Sequence, residues 1–531
     1  KYSTLGMCSF LLTTLSLLRD NARALARINH FLRFRGPDYT NVDALNGFNL
    51  VHNLLWMTGN LTVQPFFSAG NSSAALFNGE IYNFRALEQT LRPGDRPYRS
   101  DGECILEAYA RWGARFAQFL DGEYAIAIVD FRQEQIVAVS DAFGIKPLYV
   151  AHQARARGSF GLSSYRSALE RAGHAADSID TLAPNTIHTW QWHGPPASRT
   201  FMLTQQEPLV SYELVQHKRS HADWVAAFEG AVQKRTKSVH GVFLPLSGGY
   251  DSAAIHLALL RLRVPHVAYT VLGGADAPHA SKHAAAKRGI IDERVAFAKR
   301  FHGSENLTSH EYVSFTSMQH KQIVRELTRN CEPFVIHKPV YLNVQIDTPN
   351  LVQGTLVGFR NNSISRGMTS SVGLAIMCKE ARKRQRPTLV MLTGTGADEI
   401  MTDYGFNGVR LSDASQWGGY WPDDAGLKRL FPWRSFYSGT QSAYLGRDER
   451  VTGTYGIEGR YPFLDAAVVQ EQLSLSRHLK NKYYKAAVQL YLRDHGYPVE
   501  RCEALPVAPF MSGPGCTKVG FTAKASDKTR H

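Results

Sequence analysis

The sequence predicts two domains: an N-terminal α+β unit of stacked sheets, followed by an α/β unit on a parallel sheet. Three observations lead there. The 531 residues exceed what a single core usually organises. From about residue 7 to 200, short apolar strands alternate with turns. From about residue 221 the rhythm becomes helix, strand, glycine turn, helix, strand, helix, the alternation of a parallel sheet covered on both faces. The predicted boundaries are 1–202 for the first domain, 203–220 for a linker, 221–510 for the second domain and 511–531 for a basic tail.

Each element has a local reason. In the first domain Ala74 to Phe77, Tyr124 to Val129 and Gln135 to Val139 are apolar runs of strand length bounded by turn residues. Helical spacing covers Arg19 to Arg33 and Glu103 to Phe119. Leu203 to Arg219 is polar and reads as the linker. Beyond it come a helix over Ala222 to Thr236, a strand over Val242 to Leu246 and a helix-compatible run from Ala253 to Leu262. A strand over His266 to Leu272 and a helix over Asp292 to Phe301 follow. Cys331 to Ser365 carries Pro333, Pro339 and Pro349 and reads as an insertion or lid. A further strand, Thr388 to Leu392, runs into Thr393-Gly394-Thr395-Gly396-Ala397-Asp398-Glu399. The tail from Ser512 to His531 has little apolar content, so its ordering would need a partner, in a larger complex or a homodimer.

Composition narrows the function classes. Hydrophobic content of 44% and charged content of 20% are those of a soluble globular protein. A formal charge of +14 suits a phosphate-bearing ligand or an acidic partner, and equally a solvated basic exterior. Basic residues do not cluster with interleaved aromatics, which argues against nucleic acid. The six cysteines (Cys8, Cys104, Cys331, Cys378, Cys502, Cys516) are far apart and form no CxxC or zinc spacing. A reducing intracellular compartment, cytoplasm or organelle matrix, is expected. No apolar run is long enough to span a bilayer. Met7 to Leu18 has the length of a signal-peptide core but lacks a small-residue cleavage site.

The most specific string is Ser247-Gly248-Gly249-Tyr250-Asp251-Ser252. It sits between a strand and a helix start. Its glycines let backbone N–H groups approach a phosphate, its serines add hydroxyl donors, and the helix N-terminus favours negative charge. Asp251 would repel a phosphate and makes sense as a ligand for Mg²⁺ carried by a nucleotide. The spacing is not that of a Walker loop, which needs a Lys before its hydroxyl residue. It resembles the PP-loop of ATP pyrophosphatases.

Other ordered motifs widen the resemblance. Met7-Cys8-Ser9, Arg35-Gly36-Pro37-Asp38, Phe77-Asn78-Gly79-Glu80-Ile81-Tyr82-Asn83, Ser100-Asp101 and Asp141 to Tyr149 (DAFGIKPLY) stand in the first third. SGGYDS, TGTGADE, Gly456 to Asp465 (GIEGRYPFLD) and Lys482-Tyr483-Tyr484-Lys485 follow. Together they resemble glutamine-hydrolysing asparagine synthetases over nearly the whole chain. The resemblance implies an N-terminal-nucleophile αββα sandwich of the class II glutamine amidotransferase type. It implies a second domain of the ATP pyrophosphatase type.

The implied chemistry is glutamine hydrolysis in the first domain and adenylation of a carboxylate in the second, with ammonia displacing AMP. By that resemblance Cys8 is the nucleophile, activated by its own α-amine. Asn78 and the Gly79 N–H hold the oxyanion, and Glu80 and Asp101 hold the amino end of glutamine. Ser247, Gly248, Gly249, Asp251 and Ser252 cradle pyrophosphate. Leu246, Val271, Thr393 and Gly394 complete the ATP site. Asp251 and Asp398 hold Mg²⁺, and Lys482 neutralises phosphate charge during adenylation. ATP, Mg²⁺ and a small amino-acid or carboxylate substrate are the expected ligands.

Three departures qualify this. Seven residues precede Cys8, so it has no free α-amine unless processing at Met7 exposes it. Leu54 stands where the family's HxRLS motif supplies an arginine for the glutamine carboxylate, and Trp56 replaces a small residue. Thr395 stands where the family's SGEG motif places a carboxylate. Blander roles also fit several residues: Cys8 as a small strand residue, Asn78 to Glu80 as a turn, Asp101 as a helix cap, Lys482 as a solvated helix residue. Two functions stay open at this point. One is an amide-forming ligase with an impaired glutaminase. The other is a catalytically degenerate scaffold that serves a larger complex.

Overall fold

The computed structural model describes residues 8–16, 22–56, 62–94, 96–152, 159–237, 241–274, 282–301, 307–333, 369–384, 389–402, 405–406, 409–410, 421–483 and 485–499. Twelve strands make up the first domain. They are β1 (Ser9–Thr13), β2 (Tyr39–Leu45), β3 (Phe48–Leu54), β4 (Phe66–Phe67), β5 (Ser73–Ile81), β6 (Gly122–Asp130), β7 (Gln135–Ser140), β8 (Tyr149–His152), β9 (Phe160–Ser163), β10 (Ile179–Thr181), β11 (Thr186–His193) and β12 (Thr200–Pro208). They form two antiparallel sheets, ordered β10-β8-β9-β1-β3-β2 and β12-β11-β7-β6-β5-β4. Alternation along the strands turns Phe10, Leu12, Phe48 and Leu50 of one sheet onto Leu76, Ala125 and Ala127 of the other, in one buried layer.

The outer faces are covered by α1 (Ala22–Ile28), α2 (Leu32–Arg35), α3 (Phe84–Leu91), α4 (Cys104–Trp112) and α5 (Arg166–Ala172). Ile28, Leu32 and Leu169 pack on the first sheet, and Leu87, Ile105 and Ala108 on the second. The result is the four-layer αββα sandwich. The helix expected over Arg19 to Arg33 is split into α1 and α2. The one expected over Glu103 to Phe119 closes at Trp112, because Gly113 takes φ +60°, and continues as a 3₁₀ turn. Residues 203–208, assigned to the linker from their polarity, belong to β12. This edge strand is mostly exposed, so its sequence carries no apolar alternation.

In the second domain β13 (Val242–Pro245), β14 (His266–Gly274), β15 (Thr308–Phe315) and β16 (Val390–Leu392) precede a short hairpin of β17 (Gly405–Phe406) and β18 (Val409–Arg410). β19 (Glu458–Arg460) follows. The five-stranded sheet is parallel, in the order β15-β14-β13-β16-β19. Its helices include α6 (Ala222–Thr236), α7 (Tyr250–Arg261), α8 (Lys282–Arg300), α9 (Ser317–Asn330), α10 (Thr369–Arg384), α11 (Ala397–Met401), α12 (Thr440–Thr454), α13 (Ala466–Ser474) and α14 (Ala486–Asp494). Val242 and Leu244 point to the face holding Trp224, Phe228, Ile255, Leu259 and Val488, while Phe243 points to Ile323, Leu327, Val372 and Val451. Both faces are therefore buried, which is why β13 reads as an unbroken apolar run. Most of the expected insertion and all of the basic tail lie outside the described residues. Among the described residues no helix is long and apolar enough to cross a membrane.

The two domains meet across buried charge. Arg235 of α6 donates to Glu123 of β6 at 2.7 Å and to Asp465 at 2.7 Å. Arg35 donates to the Glu449 carboxylate at 2.6 Å and to its carbonyl at 3.0 Å. Lys146 donates to the Gly459 carbonyl at 2.8 Å and to Glu449 at 3.3 Å. All of these side chains are buried. Such pairs hold geometry more than they add stability, because desolvation offsets much of their attraction.

Candidate active site

The first candidate site lies where the sandwich meets the second domain. Cys8 immediately precedes β1, and its sulfur accepts the Leu55 N–H at 3.2 Å just beyond β3. Leu55 itself packs into the second domain's core, so the thiol stands at the domain junction. Burial pushes the Cys8 thiol well above its ordinary range. The Leu55 N–H pulls the other way, and the nearby carboxylates of Glu458, Asp101 and Glu80 push it further up. A thiol in this setting needs a dedicated proton acceptor before it can attack.

β5 supplies the facing residues. Gly79 has φ +138°, and a Cβ there would lie 2.0 Å from the Glu123 carbonyl, so only glycine fits. Asn78 is fully buried, and among the described residues neither its amide oxygen nor its nitrogen has a hydrogen-bond partner. A buried amide left in that state costs free energy unless a ligand completes it. Asp101 accepts the Ile81 N–H at 2.9 Å, and burial raises its carboxyl to about 7. Glu80 lies 3.3 Å from Arg460 of β19, so the second domain reaches into this pocket. Leu54 is buried at the end of β3, and exposed Trp56 donates its N–H to Asp38 at 2.9 Å.

The second candidate site forms at the carboxyl ends of β13, β14 and β16, the edge where parallel sheets bind ligands. Leu246 stands just past β13, Thr393 and Gly394 just past β16, and Val271 within the second half of β14, on adjacent strands. The SGGYDS loop joins β13 to α7. Ser247 and Ser252 hydroxyls meet at 2.9 Å, and the Ser247 N–H reaches the Ser252 hydroxyl at 3.1 Å. Gly249 has an ordinary φ of −76°, so the loop's glycines serve access rather than a left-handed turn. Gly394 does answer a close approach: a Cβ there would fall 2.6 Å from that of Asp251.

That approach brings Asp251 and Asp398 together. Both carboxylates lie 2.6 Å from one ammonium group, that of Lys485. Lys485 is buried and holds φ 46°, a left-handed conformation that costs of order 1 kcal/mol in a non-glycine residue. Lys482, the lysine singled out from the sequence, is elsewhere: its side chain is exposed beside the Tyr483 ring. The motif contains two lysines three apart, and only the turn into α14 decides which faces the carboxylates. The lone sequence signal for Lys485 was its place at the start of an apolar helical run. Thr395, for its part, donates to the buried Asp448 of α12 at 2.6 Å, and Arg447 holds the other carboxylate oxygen at 2.8 Å. A carboxylate thus stands behind the threonine found where the resemblance implies one.

Asp251 and Asp398 fit a nucleotide-borne Mg²⁺, whose remaining ligands would be phosphate oxygens and water. Among the described residues no group of three or more His, Cys, Asp or Glu side chains could hold a metal without such help.

Residues 7–220 match the glutamine amidotransferase domain family. Asparagine synthetase [glutamine-hydrolyzing] 3 of Arabidopsis thaliana is 28% identical over 254 residues, 46% of this chain and 41% of its own length. Asparagine synthetase [glutamine-hydrolyzing] 2 of Oryza sativa subsp. japonica is 26% identical over 239 residues, covering 44% and 37%. The chain resembles asparagine synthetases. The match spans about two fifths of the length of these curated relatives. Among solved structures, a glutamine phosphoribosylpyrophosphate amidotransferase from B. subtilis, complexed with ADP and GMP, covers 73% of this chain and 75% of its own. Its identity is 13% and its TM-score 0.30, too loose to argue from. The fold of this asparagine-synthetase-like chain therefore rests on its own sheets.

Proposed function

We propose that this chain is an ATP-dependent amide-forming ligase. A substrate carboxylate oxygen attacks the α-phosphorus of ATP and pyrophosphate leaves. The nitrogen of ammonia or another amine then attacks the acyl carbon, AMP leaves, and the amine releases a proton. The observation that carries this reading is the convergence of Asp251, Asp398 and Lys485 beside the SGGYDS loop, at the ligand-binding edge of the sheet. Loop N–H groups and serine hydroxyls bind the phosphates. Lys485 is the charge available to the departing pyrophosphate, and bound Mg²⁺ would neutralise phosphate charge. A small amino acid or other carboxylate is the acid substrate.

The glutaminase half is impaired in this reading. Leu54 offers no charge to a glutamine carboxylate, a loss of roughly 2–5 kcal/mol in binding. Free ammonia or a different amine is then the nitrogen source. A second reading draws support from Leu54 and Thr395 together: a non-catalytic subunit that keeps the scaffold and binds nucleotide.

The test is pyrophosphate release from ATP–Mg²⁺ with aspartate and ammonium, then with a broad panel of acids and amines, comparing native protein with Asp251→Asn. Release that needs both the acid and Asp251 is expected. Silence across the panel with ATP still bound would transfer the case to the non-catalytic subunit.

A further inference from the structure

Arg294 lies on α8, outside the sequence motifs of both sites, and is 1% exposed. Its guanidinium donates to three successive carbonyls of the SGGYDS loop. One nitrogen reaches the Ser247 carbonyl and the Gly249 carbonyl at 3.1 Å, and a second reaches the Gly248 carbonyl at 3.1 Å. The third, Nε, donates to the Pro498 carbonyl at 3.1 Å, and the guanidinium carbon stands 5.7 Å from the centre of the Tyr497 ring. Tyr497 is fixed in turn by its hydroxyl, 2.6 Å from Nδ1 of His256 on α7.

The consequence follows from peptide geometry. In a trans peptide the C=O and the N–H of the same unit point in opposite directions. The carbonyls of Ser247, Gly248 and Gly249 share their peptide planes with the N–H groups of Gly248, Gly249 and Tyr250. Drawing three carbonyls onto one buried cation turns those three N–H groups away from it. Ser247 and Gly249 are exposed, so the loop's far side is the open side. Of the three, the Gly249 N–H donates to the Ser247 hydroxyl at 3.2 Å, a bond an anion could replace. Left alone, three consecutive carbonyls would meet an anion as readily as their N–H groups. Arg294 removes that choice and adds a positive charge behind the loop.

We infer that Arg294 is the positioning residue of the nucleotide site: it pre-sets the loop's N–H groups for the phosphates of ATP and does not itself touch them. This rests on the nucleotide reading of the loop above. A lysine can keep the charge but cannot span three carbonyls and Pro498 at once, because it lacks the planar fork.

The experiment measures binding of ATP–Mg²⁺ and of inorganic pyrophosphate with Mg²⁺ by calorimetry, on native protein, Arg294→Lys and Arg294→Gln. Hydrogen–deuterium exchange is followed over residues 247–252 and, as an internal control for folding, over β15. Expected is at least a tenfold weaker binding for Arg294→Gln and an intermediate loss for Arg294→Lys. Faster exchange confined to the loop should accompany both. Native-like binding by Arg294→Lys would mean that charge alone matters and would overturn the positioning role. So would unchanged binding by Arg294→Gln. If native protein binds neither ligand, the nucleotide reading fails by itself. The exchange data still decide the role in shaping the loop: acceleration at 247–252 with β15 unchanged supports it, and no acceleration ends it.

Discussion

The two candidate sites are supported by different things. In the sandwich the backbone is intact. Gly79 holds a conformation no other residue fits, β5 pairs in register with β6, and the buried Asn78 amide has no partner among the described residues. By the resemblance, what departs is a pair of side chains at or just past the end of β3: Leu54, where an arginine is expected, and Trp56, where a small residue is expected. In the parallel-sheet domain the charged side chains are assembled, and Thr395, which the resemblance marks as a departure, is bonded to a carboxylate from another helix. Backbone geometry is costly to dismantle because neighbouring strands depend on it. A ligand-binding side chain can be lost without disturbing the fold. An αββα scaffold is therefore weak testimony for glutaminase activity, while a convergent Asp–Lys–Asp cluster is stronger testimony for phosphate chemistry.

The comparison can be broken most sharply at Lys485. Lys485→Met should lower pyrophosphate release by about a hundredfold or more, the scale expected for removing a charge that stabilises a transition state. Lys482→Met should change it less than about twofold, as for an exposed side chain. A reversed order would return the role to Lys482 and would mean that the turn before α14 rearranges on binding. Next in size is the domain junction. Glu449→Gln leaves Arg35 buried with its charge uncompensated, and a loss of about 3–5 kcal/mol is expected in denaturant unfolding. A loss below about 1 kcal/mol would show that water or a neighbour takes over the guanidinium. Smaller again is Gly79→Ala. The clash with the Glu123 carbonyl and the positive φ together should cost about 1–3 kcal/mol. The damage should stay in the sandwich, leaving ATP binding intact.

Much of this was legible in the sequence, and what was missed was missed for identifiable reasons. Strand–turn–helix punctuation around SGGYDS placed the loop at the correct sheet edge, because β13 is buried on both faces and reads as pure apolar sequence. Helix α6 was read at its observed bounds. β12 was not read, because an exposed edge strand has no buried face to imprint a period. Spacing along the chain does not tell Lys485 from Lys482, since it says nothing about which side a left-handed residue turns. Arg294 carries no local signal at all: it sits in an ordinary helix 47 residues after the first carbonyl it binds. Arg35 and Lys146 were noted only as parts of motifs, and their role in holding two domains together appears only when Glu449 is brought to them.

Asp101 offers the mildest probe and tests the sandwich pocket without requiring turnover. Its carboxyl, ordinarily near 3.8, is raised to about 7, first by burial and then by the negative field of Glu458, against the pull of the Ile81 N–H. The folded state therefore binds this proton more tightly than the unfolded state does. Between about pH 4 and 7 the folded protein gains stability as pH falls, the reverse of a salt-bridged aspartate. Native protein should melt below Asp101→Asn at pH 8 and approach it at pH 5. To hold an α-ammonium group the carboxyl must be ionised. Glutamine binding, where calorimetry detects it, should accordingly weaken by up to about tenfold per unit below pH 7. Asp101→Asn should bind weakly at every pH. A melting difference between the two proteins that stays flat from pH 5 to 8 would mean that Asp101 is ionised throughout. The pocket would then be wetter than its burial implies, and an amino group would be held there as readily at pH 5 as at pH 8.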